Sequence, residues 1–123
     1  MTLAAPSHTT SLTDWLSYLE QLHPSAIDMG LERVREVAAR LPLETTAVKI
    51  VVGGTNGKGS TCAMLEAILL AAGYRVGLYT SPHLVNFNER ARLNGEIVSD
   101  AEFVRYFSMV ASDRQEVSIT NFE

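Results

Sequence analysis

The residues best able to do chemistry in this sequence form a single run, Gly53-Gly54-Thr55-Asn56-Gly57-Lys58-Gly59-Ser60. Glycines let successive backbone N–H groups converge on phosphate oxygens. A helix starting at the run presents the positive end of its dipole, and the ammonium of Lys58 reaches the terminal phosphates. The run departs from the pattern G-x-x-x-x-G-K-[ST], because Val52 holds the place of the first glycine and Gly59 that of the hydroxyl residue. Ser60 and Thr61, one and two positions late, still offer a hydroxyl to magnesium or phosphate. The plainer alternative is a glycine-rich turn whose lysine points into solvent. A strand before the run and a helix after it, in register with the lysine, favour a nucleotide cradle.

Thr80-Ser81-Pro82-His83 is a second cluster. At the C-terminal end of a strand in a parallel sheet it opens onto the same crevice as the glycine run, where ligands collect. Ser81 suits a magnesium ion and His83 a phosphate or a carbonyl. A capped turn with a solvated histidine fits the tetrapeptide equally well.

The elements that must position these residues are legible in the apolar pattern. Residues 48–52, Val-Lys-Ile-Val-Val, are short, β-branched and apolar, and predict a strand buried on both faces. Residues 60–72 are apolar nearly all round and predict a buried helix, with Gly73 placed for a left-handed C-terminal residue. Residues 75–80 predict a second strand, so strand, glycine turn, helix and strand compose a right-handed βαβ unit with parallel strands. Upstream, Trp15, Leu16, Leu19 and Leu22 recur at helical spacing and predict a helix over about 12–22. Leu31, Val34, Val37, Ala38 and Leu41 predict a second helix that stops at Pro42. Downstream, Asn94-Gly95 between alternating residues predicts a two-residue hairpin. Ser99-Asp100-Ala101-Glu102 then starts a helix with buried Phe103, Val104, Phe107, Val110 and Ala111, ending near Ser112.

Composition narrows the function classes. The 123 residues are 46% apolar and 20% charged, which fits one globular core rather than a disordered chain. The apolar run at 67–72 falls far short of the ~20 residues that span a bilayer, and residues 1–10 carry no basic and apolar leader, so the expectation is a cytoplasmic protein with no membrane partner. Ten basic residues against fourteen acidic ones, with only two lysines, leave no basic stripe for nucleic acid. The lone Cys62 excludes an internal disulfide and a cysteine zinc site, and is expected to be packed and inert. Arg90 and Arg92 flank the hairpin and could attract a substrate carboxylate, but paired with Glu89 and Glu96 they are expected to decorate its surface. His8 and His23 have no partners at catalytic spacing. A two-stranded sheet would expose apolar surface, so a chain of this extent is expected to be marginally stable or to self-associate.

Several separated motifs agree in order and spacing with one family. Residues 54–60, 72–84 (Ala-Gly-Tyr-Arg-Val-Gly-Leu-Tyr-Thr-Ser-Pro-His-Leu), 87–90 (Phe-Asn-Glu-Arg) and Asn94-Gly95 resemble the N-terminal part of folylpolyglutamate synthase. Residues 15–23 and 27–34 are similar to the bacterial bifunctional form, which is also a dihydrofolate synthase. The glycine run alone is shared with the wider family of Mur ligases.

The resemblance implies an α/β, P-loop-containing, Mur-ligase-like ATPase core with a parallel sheet flanked by helices. Residues 1–123 would be only the N-terminal portion of its ATP-binding domain, without the C-terminal glutamate-ligase domain. It implies an ATP-dependent ligase that joins L-glutamate to dihydropteroate or folate through an acyl phosphate, with ATP and Mg2+ as cofactors and a monomeric full-length protein. Thr55, Asn56, Gly57, Lys58, Gly59 and Ser60 would hold ATP, with Lys58 acting in catalysis, and Ser81 would ligate magnesium. Ala26, Ile27, Asp28 and Met29, with Thr120, Asn121, Phe122 and Glu123, match positions that line a dihydropteroate pocket. Ile27, Met29 and Phe122 are equally what a core or a helix start would use. The chain on its own is expected not to turn over substrate. A Mur-type peptide ligase and a non-catalytic nucleotide-binding module are the alternatives.

Overall fold

A computed structural model describes residues 4–22 and 30–119. The chain divides into two compact units, one made of residues 1–45 and 100–123 and the other of residues 46–99.

The first unit is helical. Ser11 caps α1 (Leu12–Gln21), its hydroxyl accepting from the Asp14 N–H at 3.2 Å, which satisfies one of the N–H groups a helix start leaves unpaired. α2 (Glu32–Arg40) begins at Leu31 without a side-chain cap and carries a Glu36–Arg40 ion pair one turn apart. The third helix of this unit (Asp100–Arg114, α4 in chain order) has Asp100 and Glu102 in its first turn, the favourable sign for that end of the dipole. It runs two residues beyond the expected end at Ser112. Arg40 explains the extension by donating to the carbonyls of Asp113 and Arg114 at 3.1 and 2.8 Å, so the last turn's acceptors are paired.

The core of this unit is the apolar stripe of α1 against that of α4: Leu12, Trp15, Tyr18 and Val104 are buried, with Phe103, Phe107 and Ala111 packed around them. Trp15 is fully buried, its ring 6.1 Å from Phe107 and edge-on to Tyr18 at 5.8 Å. Its indole N–H donates to the Ser7 carbonyl at 3.2 Å, so the one polar atom of the ring is satisfied.

The second unit holds α3 (Lys58–Ala71), β1 (Gly77–Tyr79), a 3-10 turn (Phe87–Arg90), β2 (Ala91–Leu93) and β3 (Glu96–Ile97). All pairing is antiparallel, in the order β1-β2-β3, with Leu78 opposite Arg92 and Arg92 opposite Ile97. Asn94 and Gly95 both take positive φ, 51° and 86°, as the two-residue hairpin requires. The Asn94 side chain also accepts from the Val76 N–H at 2.9 Å and its N–H donates to the Val76 carbonyl at 2.7 Å, which ties the turn to the start of β1. Gly73 is left-handed at φ 86°, as its place after the helix predicts.

Three expectations are corrected here. Residues 47–52 join no ladder, and Val48 and Val51 are 89% and 92% exposed rather than buried on both faces. The parallel βαβ pairing is therefore not formed: a strand needs a hydrogen-bonded neighbour, and among the described residues the hairpin, not this segment, lies along β1. α3 is also not buried. Met64 and Ile68 stand exposed on the face opposite Cys62, Leu65 and Leu69, and Glu66 is the helix's one buried residue. A groove of about 780 Å3 runs between residues 47–52, α3 and residues 74–78, with Cys62 half-buried along it.

Arg90 and Arg92, expected to decorate the surface, do not. Arg92 donates Nε to the buried Glu66 at 3.0 Å and Nη2 to the Gly95 carbonyl at 2.7 Å, so the hairpin is clamped to α3 through a carboxylate on the helix. Gly95 lies so close that a Cβ there would stand 3.2 Å from Leu70.

Candidate functional site

The glycine run folds as an exposed loop leading straight into a helix, and the helix begins earlier than its apolar pattern alone suggests. Thr55 and Asn56 form a bend, Gly57 takes the left-handed conformation (φ 77°, ψ 4°) as the N-terminal cap, and Lys58, Gly59 and Ser60 make the first turn of α3. The cap makes no side-chain hydrogen bond, so the N–H groups of this turn are left for a ligand or water. An added Cβ at Gly57 or Gly59 meets nothing within 4 Å; at Gly57 the positive φ, not crowding, is what favours glycine.

The Lys58 ammonium folds back over the loop, donating to the carbonyl of Gly54 and, at 3.5 Å, to that of Thr55. No carboxylate pairs with it among the described residues. A positive charge, a dipole end and uncapped N–H groups thus lie on one short stretch of backbone, which suits a polyphosphate chelated to magnesium.

Ser81 follows β1 on an exposed bend, joined to Pro82 by a cis peptide bond. What surrounds it is more organised than the tetrapeptide suggests. Glu89 turns its carboxylate back on the chain and accepts from three consecutive N–H groups, Leu84 at 2.7 Å, Val85 at 2.9 Å and Asn86 at 2.7 Å. Arg90 donates Nε to His83 Nδ1 at 2.9 Å and lies over the face of Phe87, 5.1 Å from its centroid, while the His83 ring meets Phe87 at 5.7 Å. The Thr80 N–H donates to the Arg90 carbonyl at 2.8 Å, which seats Arg90 one residue from Ser81.

The sequence names His83, Glu89 and Arg90 separately but does not show that they form one cluster. The signal was the spacing Asn86-x-x-Glu89, the mark of a helix-start carboxylate reaching back to the preceding backbone.

The bond from Asn86, then those from Leu84 and Val85, hold the Glu89 carboxyl below its ordinary value of 4.5. A lowered folded value means the stabilisation is complete above the unfolded value and is lost as pH falls through the folded one. Amide exchange at residues 84–86, corrected for intrinsic rate, should therefore be slow between about pH 5 and 7 and accelerate in acid. Glu89→Gln should flatten that dependence, and equal protection at about pH 3 and 6 in the unaltered chain would refute it.

Ala26, Ile27, Asp28, Met29, Thr120, Asn121, Phe122 and Glu123, the positions matched to a dihydropteroate pocket, lie outside the described residues. The residues that border the two stretches are close together: the Ser118 hydroxyl donates to the Leu22 carbonyl at 3.2 Å, and the buried Arg114 donates to Tyr18 Oη at 2.6 Å and to the Val117 carbonyl at 2.9 Å. Among the described residues no three His, Cys, Asp or Glu side chains group as a metal site, and no helix is long and apolar enough to cross a membrane.

No family model matches the chain. It is 50% identical over 119 residues to the dihydrofolate synthase/folylpolyglutamate synthase of Escherichia coli (strain K12), covering 96% of this chain and 28% of that enzyme. The structure of E. coli FolC in complex with DHPP and ADP matches 95% of this chain at 49% identity with a TM-score of 0.90, again over 28% of the larger chain. A bifunctional folylpolyglutamate synthase/dihydrofolate synthase with Mn, AMPPNP and L-glutamate bound matches 97% of this chain and 29% of its own at 51% identity, with a TM-score of 0.87. The chain thus spans little more than a quarter of the length of the relatives it matches. Half-identical sequence along nearly all of its residues, on a backbone that follows theirs, places the chain with the bifunctional dihydrofolate synthase/folylpolyglutamate synthases.

Proposed function

We propose that this chain supplies the nucleotide-binding part of an ATP-dependent ligase that joins L-glutamate to dihydropteroate and to folyl polyglutamates. The observation that carries the reading is the loop at 54–60: a left-handed Gly57, an uncapped start of α3 and a Lys58 ammonium with no carboxylate partner among the described residues. Thr55, Asn56, Gly57, Lys58, Gly59 and Ser60 hold the phosphates, and Ser81 offers its hydroxyl to the divalent ion. The bound ion supplies charge neutralisation to the nucleotide phosphates. Lys58 and the N–H groups of the first α3 turn orient the terminal phosphate toward the substrate carboxylate, which makes positioning and electrostatics the main contribution of these residues.

The pteridine substrate belongs to Ala26, Ile27, Asp28 and Met29 together with Thr120, Asn121, Phe122 and Glu123, two stretches of sequence bordered by Leu22 and Ser118. The hydrogen bond between the Ser118 hydroxyl and the Leu22 carbonyl supports that pairing. In a longer protein, residues 47–52 and β1 would join a parallel sheet of the ATP-binding domain that this chain does not form, and the open groove beside both supports it. The full-length protein acts as a monomer in the cytoplasm, and turnover requires residues outside this chain.

A calorimetric titration with Mg-ADP, repeated with dihydropteroate present, tests the reading. Binding of both, the second tightening the first, is the expected result. A UDP-sugar peptide tightening ADP where dihydropteroate does not would favour a Mur-type peptide ligase. Nucleotide binding that no acid substrate changes would favour a nucleotide-binding module without ligase chemistry.

A further inference from the structure

Arg90 and His83 form a preorganised donor pair that the nucleotide reading does not use. Glu89, the nearest expected partner for Arg90 by sequence, has turned both carboxylate oxygens to the N–H groups of residues 84–86. Arg90 instead spends Nε on His83 Nδ1, and its terminal Nη groups bond to nothing among the described residues. A guanidinium Nε always carries its hydrogen, so His83 Nδ1 must be the acceptor and the neutral ring keeps its proton on Nε2. Phe87 fixes both partners, the guanidinium on its face and the imidazole at 5.7 Å. Arg90 is half-buried, with Nε bonded to His83 and the guanidinium on the Phe87 face, so little side-chain freedom remains to be lost when a ligand binds.

This arrangement is specific in what it can take. A guanidinium with Nε engaged still presents two Nη groups in a plane, the geometry that matches a carboxylate through parallel N–H donors. The His83 Nε2–H adds a neutral donor beside it. The Glu89 carboxylate, on the residue next to Arg90 and held by three backbone N–H groups, opposes a diffuse anion and favours a ligand that makes direct hydrogen bonds.

We propose that Arg90, with His83 as its partner, binds the carboxylate of the acid substrate beside Ser81. The assignment deepens the ligase reading and rests on it for the identity of the acid: the carboxylate that receives a phosphoryl group would be held by an arginine whose backbone pairs with Thr80, the neighbour of the serine offered to the metal. Arg90 is then a binding residue for the group that reacts. His83 is a positioning residue that acts through Arg90 and contributes its own N–H.

Sodium benzoate, a bare aryl carboxylate, tests the pair in this chain labelled with 15N at histidine and arginine, read by NMR. The expected result is a saturable shift of the His83 Nε2 and Arg90 Nε signals with benzoate and none with uncharged benzamide. Arg90→Met should abolish it. Arg90→Lys, which keeps the charge and loses the planar donors, should weaken it at least threefold, and His83→Gln should weaken it while the hairpin amides stay in place. No shift in the unaltered chain, an equal shift with benzamide, or undiminished binding in Arg90→Met overturns the proposal. ADP added to the same samples reads the glycine loop independently. Benzoate binding without ADP binding removes the nucleotide reading and leaves this site, and the reverse removes this site alone.

Discussion

Replacing Lys58 by alanine is expected to weaken Mg-ADP binding by about ten- to a hundredfold while leaving the fold intact. A hydrogen bond to a charged group is worth about 1.5–3 kcal/mol, and ~1.4 kcal/mol is a factor of ten in affinity. The structure makes this variant a clean one. Lys58 is exposed and, among the described residues, hydrogen-bonds only to the carbonyls of Gly54 and Thr55, so its removal leaves no buried partner behind. Exposed substitutions of that kind change stability by about 0.5 kcal/mol or less. Lys58→Arg should recover part of the affinity, because it keeps the charge but is a broad planar fork where a compact ammonium fits among carbonyls. Calorimetry with Mg-ADP on the three chains, with thermal melts beside them, reads both quantities. Equal affinity in Lys58→Ala would mean the lysine points to solvent when nucleotide binds, and would return the glycine run to a plain turn.

The largest effect on stability is expected at Trp15. It is fully buried between Tyr18 and Phe107, and its indole N–H reaches back to Ser7. Truncation of a buried tryptophan to alanine costs about 3–5 kcal/mol from lost transfer and the cavity left behind, a large share of the ~5–15 kcal/mol that holds an ordinary domain together. Trp15→Ala should therefore abolish the cooperative melt of the helical unit, followed by circular dichroism. Trp15→Phe keeps most of the apolar volume and should retain a transition at lower temperature. Because the glycine loop belongs to the other unit, the chemical shifts of residues 54–60 report whether the loss is local. A cooperative melt in Trp15→Ala within a few degrees of the unaltered chain would show that α1 does not hold the unit together.

How much of this was legible in the sequence follows from the range of the interactions involved. The helices α1, α2 and α4 were fixed within a residue or two, because caps and 3.6-residue periodicity are local signals: Ser11, Asp100 and Glu102 act on the turn that follows them. The Asn94-Gly95 turn and the left-handed Gly73 were equally readable, since positive φ is a property of the residue itself. The loop at the glycine run and the helix start after it were readable for the same reason, as loop, lysine and helix start are contiguous.

Only the tertiary structure could decide what depends on distant partners. Residues 47–52 have the composition of a buried strand, yet strand and burial both require neighbours that composition does not name, and here β1 pairs with the hairpin instead. The arginines show the same limit at the level of single side chains. Charge and proximity in sequence suggested Glu89 and Glu96 as their partners, but three backbone N–H groups claim Glu89, so Arg90 turns to His83 and Arg92 reaches 26 residues back to Glu66. Sequence determined the helices, the hairpin turn and the glycine loop because those rest on contacts within a few residues. Folding decided the pairing of strands and charges, because each is settled by competition among groups far apart in the chain.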